Sequence, residues 1–476
     1  PNGAAIFTKL DPRQPLLPTP YSIHAASAGT AVTATSAGTV PWSGLSGLPP
    51  GFADDVDNDT LYAAGTGLSL NGTTFSLNSA FTDGRYWKLL GNAGTTPGTH
   101  FLGTTDNQPL ELRVDSVRAL RLEPNATSPK VIEGHFGNFV EGGAVGATIG
   151  GGGTTGRTNK VSGNYGTIGG GLGNTVSGSE SIIGGGSGNT IQAPAFQSAI
   201  GGGEANTIQA ADRSTIAGGL ANTIQDQAVR SFIGGGAYNI IQTNAVNTTI
   251  SGGQANTVQA NAHVSTIGGG NYNTIQANAL FATIGGGDHN TIQTNAQWST
   301  ISGGRMNAIQ AEAWYATIPG GTDAMARGYG QWAYASGAHA APGDAQTSLY
   351  VLRGTTIDSA TRNLLLDGVS RTLAIPPGST WAFEMLVVAR TQDAGEFLIA
   401  NSAGFRVTGV IENAGKFTSL VGSPTVTPLG NDGVSWSVAV QADNAVDALR
   451  VLVTGEVGRT IRWVASVRTV EVMFPQ

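Results

Sequence analysis

Between residues 149 and 318 an isoleucine recurs ahead of a glycine cluster, and from Ile216 to Ile318 it does so every 17 residues. Earlier intervals run from 15 to 19. A second Ile or Val series lies between: Val176, Ile191, Ile208, Ile224, Ile241, Val258, Ile275, Ile292 and Ile309, mostly preceded by Asn-Thr. Within the regular region it falls 8 residues after the first series. Each repeat therefore holds two short strands and their turns. So short a fixed period marks a β-solenoid, in which each coil contacts only its neighbours.

Strand alternation assigns the faces. With isoleucine inside, Ser214 joins Ile216 and Asn222 joins Ile224 in the interior. Thr207, Thr223, Thr257, Thr274 and Thr291 form an outer ladder. Stacking coils ~4.8 Å apart aligns like residues. Asn206, Asn222, Asn239, Asn256, Asn273, Asn290 and Asn307 then form an amide ladder, each bonding the next. Glycine clusters such as Gly234–Gly236 supply the left-handed conformations of sharp corners. Two aliphatic side chains per coil are few against the entropy of ordering 17 residues. The sequence accordingly predicts end caps and a homotrimer packed side by side, with end-to-end filaments left open.

The rest of the chain differs. Residues 1–58 are Pro/Ala/Gly-rich and read as an extended tether. No signal peptide precedes Pro1, which fits a processed chain or a fragment. Residues 59–140 read as short hairpins: Asn71-Gly72 is a type I′ signal, and Leu110, Leu112, Val114 and Leu120, Leu122 alternate. The solenoid spans 141–326. Residues 327–476 carry eight apolar runs with turn signals between them, an antiparallel β-sandwich or jelly roll. The fold class is all-β throughout.

Three segments resemble known proteins. The repeat, as in Ser265-Thr-Ile-Gly-Gly-Gly-Asn-Tyr-Asn-Thr-Ile275, resembles the head repeats of trimeric bacterial adhesins, which are usually shorter and less strictly triple-Gly. Asp59–Leu70 and Gly91–Asp106 are similar to modules of bacterial surface proteins with tail-fibre-like domains. Gly343–Arg353, Thr380-Trp-Ala-Phe and Gly458–Val464 are similar to C-terminal domains of phage tail-fibre-like proteins. The resemblance implies an extracellular fibre on a cell surface or a virion tail, adhesive rather than enzymatic. Its partners would be other copies of itself and a glycan or cell-surface ligand. A phage or prophage tail fibre is the alternative, and a tailspike-like glycan hydrolase a third.

Candidate chemistry is sparse. A net charge of −7 offers no basic surface for nucleic acid, and no apolar run is long enough to span a membrane. The absence of cysteine removes disulfides, thiolate catalysis and Cys zinc sites. No cofactor is expected. Asp54, Asp55, Asp57 and Asp59 form the densest acidic cluster, a calcium candidate lacking the EF-hand Gly and Glu, so a solvated linker is the simpler reading. No histidine shows metal-ligand spacing. Within 181–318 the acids Glu204, Asp212, Asp226, Asp288 and Glu312 occupy different repeat positions. They do not pair by stacking, and no catalytic residue is assigned. The Thr ladder is interrupted at Ile240 and Ala308 and carries one Thr per strand, which disfavours ice binding. Bulky groups precede each Ser-Thr-Ile: Phe196, Val229, Val246, Val264, Leu280, Phe281, Trp298, Trp314 and Tyr315. Of these Phe196, Phe281, Trp298, Trp314 and Tyr315 are predicted to form an aromatic edge, for packing or for glycan contact.

Overall fold

The computed structural model describes residues 63–72, 74–78, 86–391, 400–415, 417–432 and 435–474. They fall in two units, 1–102 and 103–476. The tether and Asp54, Asp55, Asp57 and Asp59 lie outside the described residues, which are all-β with no helix. In the first unit Leu68–Asn71 and Thr74–Leu77 form the hairpin that Asn71-Gly72 predicts, with Asn71 opposite Thr74.

The second unit is a solenoid running into antiparallel sheets. Every coil contributes one two-residue strand to each of two parallel ladders, as Thr266-Ile267 and Thr274-Ile275 do. A third side is closed by single bridges, as Asn271 to Asp288. Ile267, Ile275 and their equivalents are fully buried, as strand alternation requires. A third inward position was not foreseen. It is alanine in every coil from Ala195 to Ala313, and it is fully buried. One chain thus closes its own core, with Ile, Ile or Val, and Ala in each layer from Ala195 to Ala313.

Unpaired buried backbone donors are costly, and one coil shows how they are met. Thr266, Gly268, Asn271, Thr274 and Gln276 donate their N–H to the next coil. Tyr272, Asn278 and Phe281, all in the left-handed region, donate to the preceding coil. Side chains take donors that remain. Asn256 Oδ1 accepts from the Asn273 N–H at 3.0 Å. Gln259 Oε1 accepts from Ala277 at 3.2 Å, and Ser265 Oγ from Ala282 at 3.2 Å. Ser265 Oγ donates in turn to the Ala279 carbonyl at 2.9 Å.

The amide ladder forms as predicted, with an addition. Asn256 Nδ2 donates to Asn239 Oδ1 at 3.1 Å and also to the Gly252 and Gly270 carbonyls at 3.0 and 2.8 Å. This explains the glycine. Gly253 has φ +87°, and a Cβ there would sit 2.0 Å from the Gly270 oxygen and 2.8 Å from Asn256 Nδ2. The middle glycine, Gly252, faces open space. The first place in the cluster accepts Ala217, Ser251 and Ser302.

The solenoid is closed at both ends. Leu110–Val114 and Val117–Glu123 form an antiparallel hairpin continued by Lys130–Glu133, which pairs in parallel with Thr148-Ile149. The stack thus begins before residue 141. At the other end Trp332–Ser336 pairs with the last coil on one side and with Ala345–Thr356 on the other, so shaft and C-terminal domain share a sheet. That domain is a sandwich. Ala345–Thr356, Ile461–Met473, Ser379–Thr391 and Ser402–Asn413 form one antiparallel sheet. Thr361–Leu364, Leu373-Ala374, Ser437–Asp443 and Ala448–Thr454 form the other. Phe383, Met385, Val451 and Trp463 are buried between them.

Gly253→Ala should lower the denaturation midpoint strongly or prevent folding, because Cβ collides with backbone as well as straining φ. Gly252→Ala should shift stability by no more than ~0.5 kcal/mol. Asn256→Ala strands a buried N–H and should cost about 1–3 kcal/mol. Urea titrations of the three variants check this.

Candidate functional site

A cleft of about 1050 Å³ opens where the last coils meet the sandwich. The solenoid supplies Gln310, Glu312 and Met325, and the following turn Arg327, Tyr329 and Gln331. The sandwich supplies Tyr350, Trp381 and Glu471 from three neighbouring strands, with Arg371 and Asp447 from loops.

A buried polar network forms the cleft floor. Gln331 Oε1 accepts from the backbone N–H of Arg327 at 2.6 Å and of Gly328 at 2.8 Å, and its Nε2 donates to Ser348 Oγ at 2.8 Å. Gln346 Nε2 donates to Glu471 Oε2 at 2.8 Å, and Thr469 Oγ1 to Glu471 Oε1 at 2.5 Å. Burial pushes the Glu471 carboxyl above its usual value, and the donors of Thr469, Ser348 and Gln346 with the charge of Arg327 oppose without cancelling. Burial alone would raise Asp344 as well. Its carboxylate accepts from the N–H of Ala341, Ala340 and His339 at 2.9, 2.6 and 2.8 Å. Together these outweigh burial and hold it below its usual value. Tyr350 is buried beside Trp381, ring centroids 6.0 Å apart.

The aromatic edge leads to this cleft. Phe281, Trp298 and Tyr315 occupy one corner of successive coils. Their rings stack at 5.6 and 5.1 Å with interplanar angles of 4° and 8°. Each ring therefore covers part of its neighbour, and the three remain 41–47% exposed. Tyr315 meets Tyr329 of the cleft edge-on at 5.3 Å. Trp314 belongs to the adjacent column. It is half-buried, with the Arg371 guanidinium 5.6 Å over its ring. Its indole N–H has no acceptor among the described residues. Phe196 stands apart in that column, seven coils earlier, ~34 Å at strand spacing. Phe281, Trp298 and Tyr315 have φ of 55°, 55° and 59°. Bulky residues seldom adopt such angles, but Arg230, Asn247 and Val264 hold the same corner at 57°, 56° and 56°, so the conformation belongs to the coil rather than to the rings.

A scan against protein-family models gives no match, and a search of curated proteins gives none. Solved structures show similarity to tailspike proteins. That of Acinetobacter baumannii bacteriophage Fri1, a capsular polysaccharide depolymerase, is 9% identical over 69% of this chain and 70% of that one, with a TM-score of 0.18. That of Acinetobacter baumannii phage AM24 is 10% identical over 67% of this chain and 63% of that one, with a TM-score of 0.17. At such scores the chains do not superpose as wholes, and no residue role transfers.

The expectation of a non-enzymatic chain is corrected. The acids between residues 181 and 318 do not stack, yet stacking is not the only way a fold gathers carboxyls. Of those, Glu312 lines the cleft, where the fold adds Asp447 and Glu471 from far along the chain. No repeat position could have revealed Glu471. The available signal was an acid in the alternating strand Thr469–Val472, at an inward place.

Glu471, whose folded pKa is raised, favours the native state fully below the usual carboxyl value of 4.5. That contribution is lost as pH rises through the folded pKa. Wild type should thus lose stability relative to Glu471→Gln between about pH 4 and pH 7, which paired denaturation curves at the two pH values will show.

Proposed function

We propose that this chain is the receptor-binding fibre of a phage or prophage tail, a virion appendage that holds a host-surface glycan in the cleft between shaft and sandwich. The cleft itself carries the reading. It is concave, walled by aromatic and hydrogen-bonding side chains from two parts of the fold, and fixed by a strand the two share. Sugar recognition asks for that combination of flat apolar rings and placed polar groups. The resemblance of Gly343–Arg353 and Gly458–Val464 to tail-fibre domains supports the same reading over an adhesin head. A solenoid hydrogen-bonded at every coil suits a stiff shaft.

The fibre is proposed to be a homotrimer. Because each chain fills its own solenoid core, its contacts belong on exposed apolar surface. Val351, Val388, Val464 and Val470 lie on the outer face of the sandwich sheet, 49–62% exposed, with Val388 directly opposite Val464. Light scattering should give the mass of three chains, and Val388→Asp with Val464→Asp should give folded monomer. A folded wild-type monomer removes the trimer.

One observation favours a second reading, glycan cleavage in the same cleft. Glu471 is a carboxyl held toward its neutral form, the state a general acid needs. An array of bacterial surface polysaccharides tests both. Binding should weaken about tenfold in Tyr329→Ala and in Arg371→Ala and stay unchanged in Tyr165→Ala on an early coil. Binding indifferent to the cleft variants, or absent across the array, overturns the assignment. New reducing ends released by wild type and not by Glu471→Gln establish cleavage; their absence with binding intact removes it.

A further inference from the structure

Arg327 lines the cleft with its charge poorly answered. Burial pulls its pKa below the ordinary value, the nearby charges of Glu471, Tyr350 and Asp344 opposing. Arg327 is half-buried, and a guanidinium drawn that far from water ordinarily finds a carboxylate or a full set of acceptors. Arg327 has neither among the described residues. Its hydrogen bonds go to the Pro342 carbonyl at 3.5 Å and the Gly343 carbonyl at 3.4 Å, with Met473 Sδ at 3.9 Å. All lie beyond the usual 2.7–3.2 Å of a good N–H···O bond.

Both acids nearby are engaged elsewhere. Glu471 accepts from Gln346 and Thr469, and Asp344 from three backbone N–H groups. The backbone that carries the guanidinium is nonetheless held in place. The backbone N–H of Arg327 is held by Gln331. Gly343 leaves room for the side chain to lie against the turn, since a Cβ there would come 2.6 Å from Arg327 Nη2. A second cation, Arg371, lines the same cleft over Trp314, 3.9 Å from the Glu312 carboxylate. A partly desolvated guanidinium fork with spare donors matches the two oxygens of an oxyanion.

We propose that Arg327 anchors an oxyanion of the ligand, and that the cleft takes an acidic saccharide, one bearing a carboxylate, in preference to a neutral one. This rests on the reading of the cleft as a glycan site. Phosphorylated sugars share the chemistry, so the test separates the two sources.

The intact protein is titrated calorimetrically with tetragalacturonate, glucose 6-phosphate and maltotetraose, and its melting point is followed with each. Tetragalacturonate should bind at least about tenfold more tightly than maltotetraose and raise the melting point. Arg327→Gln should lose that preference, by about tenfold or more for a charge-assisted pair, while melting no lower than wild type in the absence of sugar. Arg327→Lys, which keeps the charge but not the fork, should fall between, and it serves as the readout if Arg327→Gln does not fold. Equal binding of acidic and neutral sugars, tetragalacturonate binding unchanged in both Arg327 variants, or no binding of any probe overturns the inference. Binding of glucose 6-phosphate alone through Arg327 overturns the carboxylate assignment. Acidic and neutral sugars bound equally, both lost in Tyr329→Ala, leave the cleft reading standing while the anion inference falls; acidic binding indifferent to Tyr329 and Arg327 alike removes both.

Discussion

Everything in the shaft depends on hydrogen bonds between coils. A chain winding every 17 residues into two-residue strands leaves many backbone donors at corners, and each must find an acceptor. The repeat answers residue by residue. Asn, Gln and Ser side chains each accept a corner N–H from the next coil. The asparagine also returns two donors to glycine carbonyls. Polar residues in a narrow core are thus the condition for stacking rather than a burden on it. The buried alanine layer has a matching role: it fills the third interior position between the corners.

The left-handed corners link this accounting to the surface. Tyr272, Asn278 and Phe281 reverse the direction of their N–H and bond the coil behind. Their side chains are thereby thrown outward, in register from coil to coil. Near the C-terminal end one corner fills with aromatic rings that stack on one another and reach Tyr329. The same backbone device that closes the coil therefore delivers a row of rings to the cleft.

The cleft follows from the junction. Trp332–Ser336 belongs to both the last coil and the sandwich sheet, so the two cannot swing apart without breaking strand pairs. Side chains on either side are held at fixed separation, and the polar groups on the floor are nearly all satisfied by one another. Arg327 is the exception, and that makes it informative.

The repeat period, the inward isoleucines, the asparagine ladder and both N-terminal hairpins were legible in the sequence, because each is a local pattern of period 2 or 17. The aromatic edge was legible as a column but not as a stack, since spacing does not reveal which faces of the rings are free. Alanine at the third inward place carried too little hydrophobic signal to mark a core. Glu471 and Arg327 were not legible at all. They lie 144 residues apart and meet only because the last strand of the sandwich returns beside the end of the shaft. By itself the sequence determined the solenoid, whose contacts run one coil ahead or behind and so repeat in the chain. Only the tertiary structure decided the cleft, because its walls come from segments whose closeness depends on the order of strands in a sheet.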